Sequence, residues 1–120
     1  MNRTLVVKVT CAEDAPERAS QAFTVAASAA AAGASVSLWL TGEASWWAVP
    51  GRGADLGLEH ATPVEDLLAV VLAAGTVTLC TQCARRRGIT EADVREGVRV
   101  AGAATFAEEV LLDGVQALVY

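Results

Sequence analysis

Residues 4–40, TLVVKVTCAEDAPERASQAFTVAASAAAAGASVSLWL, decide the fold because they predict a strand, a helix and a second strand in that order. Residues 4–10 are rich in β-branched side chains, which favour a strand. Asp14 has the chemistry of a helix N-cap, and the alanine-rich helix that follows ends at Gly33. Residues 35–41 predict the second strand. The small side chains of the helix allow it to pack closely against a sheet.

The same alternation continues to the end of the chain. Three later segments are apolar or β-branched and predict strands: residues 76–81, 97–101 and 115–120. A helix is predicted over residues 64–74, directly after Pro63, and the last helix is predicted to begin at Thr105, where Glu108 completes a capping box. Residues 42–57 predict a short helix followed by a loop.

Length and composition fit one folded domain over residues 1–120. The chain is 53% hydrophobic and 19% charged, and a chain of this size buries about two-thirds of the surface that its unfolded form exposes. Five strands that alternate with helices predict an α/β fold, with a mainly parallel sheet and helices on both of its faces. Ligands of such sheets bind at the carboxyl ends of the strands.

Charge and hydropathy exclude two classes of partner. The net charge of −5 does not fit a surface that binds nucleic acid, which needs a basic field. After the first helix, the longest apolar run without a charge, residues 67–77, has about half of the roughly 20 residues that a membrane span requires. The N-terminal apolar stretch is interrupted by Lys8 and leads into acidic Glu13 and Asp14, unlike a signal peptide. We therefore expect a cytoplasmic protein that binds neither nucleic acid nor membrane.

The cysteines are the best candidates for chemistry. The cytosol keeps thiols reduced, and the odd number of cysteines, Cys11, Cys80 and Cys83, does not suit a disulfide framework. Cys80 and Cys83 form a Cys-x-x-Cys pair at a predicted turn from strand to helix, where helix amides and the helix dipole stabilise a thiolate. Cys11 follows the first strand and is expected at the same edge of the sheet. The residues between the paired cysteines, Thr81 and Gln82, are then expected to line the site.

The cysteine pair also occurs in other kinds of protein site. A structural zinc site needs four ligands, so all three cysteines and His60 would have to converge; we expect no metal and no other cofactor. His60 is interpreted as a loop histidine, with a general base as the alternative. A thioredoxin-like protein would carry a proline after its cysteine pair, whereas Pro16, Pro50 and Pro63 all precede Cys80. A small, buried structural cysteine is the remaining alternative.

At this point the sequence resembles a known family. Residues 77–89, VTLCTQCARRRGI, followed by Glu91, Asp93 and residues 97–102, GVRVAG, are similar to the DsrE/DsrF family of small sulfur-relay proteins. The similarity extends to the opening strand, to the Pro-Glu-Arg segment at residues 16–18 and to the Asp-Gly-Val turn before the last strand. It therefore covers most of the chain.

The resemblance implies both a fold and a function. It implies a three-layer α/β/α domain that assembles into homotrimers or hexamers, and partner proteins or small thiols that deliver and accept sulfur. In the family, a cysteine directly after a strand and several residues before an Arg-Gly pair carries a persulfide, and Cys80 matches that position. Cys83 is an additional residue. Some members lack the cysteine, so a non-catalytic oligomeric binding or regulatory module is the alternative, and a dithiol redox protein is a third.

Two further expectations concern roles. Cys80 is expected to carry the persulfide, its thiolate held by amides around Gln82 and Cys83, and Cys83 is expected to resolve it. Such a protein would be a sulfurtransferase-like persulfide carrier. Adjacent Trp46 and Trp47 cannot both face inward on a short helix, so at least one is expected at a subunit interface or in the cleft.

Overall fold

The computed structural model describes residues 2–120 and contains one five-stranded sheet. The strands are β1 (Thr4–Val9), β2 (Ser35–Leu40), β3 (Thr76–Cys80), β4 (Val98–Ala101) and β5 (Val115–Val119). Their spatial order is β4-β3-β2-β1-β5, and each neighbouring pair is parallel. The α/β class and the five strands predicted from the sequence are confirmed, and the sheet is entirely parallel.

Helices cover both faces of this sheet. They are α1 (Pro16–Ala31), α2 (Val64–Ala74), α3 (Thr81–Arg86) and α4 (Ala103–Val110). Two short 3₁₀ segments, Gly42–Ala48 and Glu91–Asp93, follow β2 and α3. Pro63 immediately precedes α2, as predicted, because proline tolerates the start of a helix where no backbone N–H is needed. No helix within residues 2–120 has both the length and the apolar character needed to cross a membrane.

The main core lies between the sheet and helices α1 and α2. Alternate strand residues such as Val7, Leu38 and Leu79 point to this side and are completely buried. The intervening residues of the strands point to the opposite side, where Phe106 of α4 packs edge-to-face on Trp39 with ring centroids 5.3 Å apart. The three layers implied by the family resemblance are therefore present.

Two predicted helix caps are wrong. The Asp14 carboxylate accepts the N–H of Ala12, 2.7 Å away, so it closes the turn after β1 instead of capping α1. Helix α4 begins at Ala103, and the N–H of Phe106 donates to the carbonyl of Gly102, so Thr105 lies inside the first turn. In both cases the short connection from the preceding strand, and not the nearest capping side chain, determines where the helix begins.

Candidate functional site

Cys80 is the last residue of β3 and the N-cap of α3, at the carboxyl edge of the sheet. Its thiol is half-buried and donates to Oε1 of Gln82, with the sulfur and oxygen 3.5 Å apart. The turn after β4 closes one side of the site: a Cβ on Gly102 would lie 3.8 Å from Gln82 Oε1 and 3.9 Å from Thr81 Oγ1. Thr81 and Gln82 thus lie between Cys80 and the turn after β4.

Cys83 lies one helical turn further along α3 and has a different environment. Its Sγ accepts the backbone N–H of Gly42 at 3.3 Å. Gly42 has a φ of +52°, and a Cβ there would lie 2.2 Å from the carbonyl oxygen of Thr10, so only glycine fits. The segment after β2 therefore packs closely against the segment after β1, and this contact fixes the Gly42 amide that faces Cys83. The expectation that backbone amides hold Cys80 is not met, because the bonded amide lies on the other thiol.

An ion pair closes the far side of Cys83. The Arg87 guanidinium donates from Nη1 to the carbonyl oxygen of Cys83 at 3.1 Å and from Nη2 to Oε1 of Glu43 at 3.1 Å. Glu43 directly follows Gly42, so this pair ties the end of α3 to the start of the 3₁₀ segment 42–48. The sequence analysis missed Gly42, Glu43 and Arg87. The position of a glycine directly after β2 was the available signal for the first.

The other arginines near the cysteine pair divide into two groups. Arg95 makes a two-pronged ion pair with Glu65, and Arg99 binds Thr78 and Glu109, so both are structural. Arg85 and Arg86 are exposed on α3, and neither has a carboxylate partner among residues 2–120. They leave unneutralised positive charge beside the two thiols of an otherwise acidic chain.

The comparisons with known proteins place this geometry in a family. The model of the DsrE/DsrF-like family matches residues 5–118. The chain belongs to that family. Two solved structures share the fold. The YchN protein of E. coli is 19% identical, with a TM-score of 0.76, and the match covers 98% of this chain and all of YchN. MTH1491 of Methanobacterium thermoautotrophicum, a protein of unknown function, is 14% identical, with a TM-score of 0.70, and the match covers 99% of this chain and all of MTH1491. No curated protein matches the sequence significantly.

Cys11 of this DsrE/DsrF-like chain does not belong to the cleft. It follows β1 at the predicted edge of the sheet, but it is only 3% exposed and packs within the main core. Burial raises the pKa of its thiol, and the nearby negative charge of Asp14 adds to that effect. Cys11 is therefore an uncharged core residue, and its predicted role beside the reactive thiol is wrong.

The adjacent Trp46 and Trp47 have different environments. Trp47 is buried in the core and contacts Phe23 edge-to-face, with ring centroids 4.9 Å apart, so its interpretation as an interface or cleft residue is wrong. Trp46 is half-buried, and the Arg52 guanidinium lies 4.4 Å from the centre of its ring. Only Trp46 is available to a partner. Trp39 of β2 is also buried.

A resident metal ion has no ready ligand set here. Residues 2–120 contain no cluster of three or more histidine, cysteine or acidic side chains that could hold one. His60 is an exposed loop residue in the left-handed conformation, with a φ of +62°.

A cavity of about 280 Å³ lies against α3, with Thr81, Arg85 and Thr90 contributing polar groups and Leu79 and Val100 apolar ones. Neither Cys80 nor Cys83 lines this cavity.

Proposed function

We propose that the protein is a persulfide carrier of a sulfur relay and that Cys80 holds the sulfur. The observation that carries this proposal is the half-exposed thiol at the carboxyl end of β3 in a chain of the DsrE/DsrF-like family. Parallel α/β sheets bind their ligands at that edge. The pathway is expected to operate in the cytoplasm, where reduced thiols persist.

The transfer exchanges one thiolate for another. Cys80 first loses its proton to solvent, which its half-exposed position permits. The Cys80 thiolate then attacks the outer sulfur of a donor persulfide, the S–S bond of the donor breaks, and the donor leaves as a thiolate. The new Cys80 persulfide passes its outer sulfur to an acceptor thiolate in the same way. No net oxidation or reduction occurs in either step.

The charge around α3 supports a partner or substrate that is anionic. Arg85 and Arg86 are exposed beside the thiols, whereas the chain as a whole carries a net charge of −5. A small persulfide anion, or an acidic protein surface that presents one, is attracted to this region and repelled by most of the remaining surface. Donor and acceptor are therefore proposed to dock over α3.

A second part of the proposal is assembly into a homotrimer or hexamer. Most of the exposed large apolar side chains within residues 2–120 lie near the C-terminus: Leu111, Leu112, Leu118 and Val119. Leu111 is 80% exposed and Val119 is 64% exposed, and β5, which carries Val119, is an edge strand. Apolar surface of this kind beside an open sheet edge is typical of a subunit contact. A second copy of the chain is the proposed occupant.

Intact mass after incubation with a persulfide donor tests the carrier function. The reduced protein should gain the mass of one sulfur atom, and a reductant should remove it. Cys80→Ser should abolish the gain, whereas Cys83→Ser, which changes the matched thiol one turn away, should retain it. Undiminished loading of Cys80→Ser would refute the assignment, and the absence of loading in both the wild type and Cys83→Ser would favour the non-catalytic module.

A further inference from the structure

Cys83 accepts a backbone hydrogen bond from Gly42, and neighbouring residues hold that contact in place. The Gly42 N–H is fixed because its residue presses against the carbonyl of Thr10. Glu43 and Arg87 then hold α3 against the segment that carries this amide. A hydrogen bond donated to sulfur favours the thiolate over the thiol. By contrast, the Cys80 thiol donates its hydrogen bond to Oε1 of Gln82.

Stability alone does not explain the Glu43–Arg87 pair. Nε of Arg87 is buried without a hydrogen-bond partner among residues 2–120, which costs stability. Glu43 is partly exposed, so solvent weakens the attraction between the two charges. The pair does fix the position of the Cys83 backbone relative to the segment that begins at Gly42.

We propose that Glu43 and Arg87 are positioning residues that hold Cys83 against Gly42, poised to release sulfur from Cys80 as hydrosulfide. This inference rests on the proposed carrier function. The Cys83 thiolate attacks the inner sulfur of the Cys80 persulfide, the persulfide S–S bond breaks, and hydrosulfide leaves with its proton. A disulfide between Cys80 and Cys83 remains, so atoms and charge balance. A dithiol reductant then supplies two electrons and two protons to restore both thiols.

The geometry permits this ring closure with a small movement. Side chains three residues apart on a helix have Cβ atoms about 5–6 Å apart, and a disulfide needs about 3.8 Å. Cys80 is the N-cap of α3 and has extended backbone angles, φ −66° and ψ 127°, so it is not held by the hydrogen bonds of the helix. A rotation at Cys80 can therefore bring its sulfur to Cys83 while Gly42 keeps Cys83 in place.

Two readouts separate loading from release. Protein loaded with one sulfur on Cys80 is freed of donor, and hydrosulfide is measured over time alongside the intact mass. Glu43→Gln and Arg87→Gln should load as the wild type does but release hydrosulfide about tenfold more slowly, the effect of losing one hydrogen bond to a charged group. Arg87→Lys, which keeps the charge, should restore part of the rate. Arg18→Gln, a change to an exposed arginine of α1 that makes no ion pair among residues 2–120, should release at nearly the wild-type rate.

A labelling measurement checks the same inference without sulfur transfer. In a Cys80→Ser background, iodoacetamide should alkylate Cys83 in the native protein, because Cys11 is buried in the core. Adding Arg87→Gln should slow that alkylation, although the fold remains intact by circular dichroism. Normal loading with unchanged hydrosulfide release in Glu43→Gln and Arg87→Gln would overturn this inference alone. A failure of Cys80 to load would overturn it together with the carrier function.

Discussion

Glu109→Gln should weaken the attachment of α4 to the sheet. Oε1 of Glu109 accepts the hydroxyl of Ser37 at 2.6 Å and the indole N–H of Trp39 at 3.3 Å, while Oε2 accepts a guanidinium N–H of Arg99. Glutamine retains one acceptor oxygen for Ser37 and Trp39 but places an NH₂ group against Arg99. The substitution thus removes the charged contact and leaves the other two.

The magnitude follows from burial. A hydrogen bond to a charged group contributes about 1.5–3 kcal/mol when it is buried, and an exposed ion pair contributes about 0–1 kcal/mol. Arg99 is 42% exposed and Glu109 is mostly buried, so the change in unfolding free energy should be about 1–2 kcal/mol. For a domain of this size, that lowers Tm by about 4–8 °C.

The effect should depend on pH with a defined sign. Burial alone would raise the pKa of Glu109, but hydrogen bonds from Ser37, Arg99 and Trp39 outweigh it and lower the pKa. The stabilisation is therefore complete above the pKa of the unfolded chain, about 4.3, and is lost as the pH falls through the lower pKa of the folded protein. The difference in Tm between wild type and Glu109→Gln should be constant near neutral pH and shrink in acid.

The adjacent carboxylate provides the control. Glu108 is exposed and makes no ion pair among residues 2–120, so Glu108→Gln should leave Tm nearly unchanged. Thermal unfolding followed by circular dichroism from neutral to acidic pH measures both variants. Equal Tm values for the two variants at neutral pH, or a difference that persists unchanged in acid, would refute the reasoning about Glu109.

Three further predictions concern the thiols, the core and assembly. Cys11 should resist alkylation by iodoacetamide at neutral pH until the protein is unfolded, because burial raises the pKa of its thiol; rapid labelling of its peptide in the native protein would contradict its burial. Trp47→Ala should lower the unfolding free energy by about 3–5 kcal/mol in a denaturant titration, because it removes a fully buried ring. Trp46→Ala should lower it by only about 1 kcal/mol, because it removes a half-buried ring and one cation–π contact. Light scattering should give the mass of a trimer or hexamer, and Val119→Lys should reduce it; a monomeric wild type at micromolar concentration would end the assembly proposal.

Local sequence signals predicted most of the fold. The β-branched segments, the alanine-rich helix and Pro63 each specify their own element, and the alternation of elements leaves a parallel sheet as the consistent arrangement. The predicted caps at Asp14 and Thr105 are wrong for different reasons. Asp14 bonds to Ala12 in the turn after β1, and Thr105 lies inside the first turn of α4, which begins two residues earlier. Such turns are set by the geometry of the sheet, which capping preferences do not contain.

The sequence indicated where Cys80 lies in the fold, but not which groups contact the thiols. The end of β3 placed Cys80 at the carboxyl edge without further information. The bond from Gly42 to Cys83 depends on the register of β2 beside β3 and on the approach of Thr10, both of which are tertiary. Trp47 could not be separated from Trp46 by sequence, because the 3₁₀ turn that directs one of them toward Phe23 has no periodic signal of its own.

Localisation of the added sulfur is the measurement that tests the central claim most directly. The wild-type protein is incubated with a persulfide donor, any remaining thiols are blocked, and the peptide that contains both Cys80 and Cys83 is sequenced by tandem mass spectrometry. The carrier proposal predicts the extra sulfur on Cys80, with loss of the signal after reduction. Extra sulfur on Cys83 or Cys11, with none on Cys80, would contradict it.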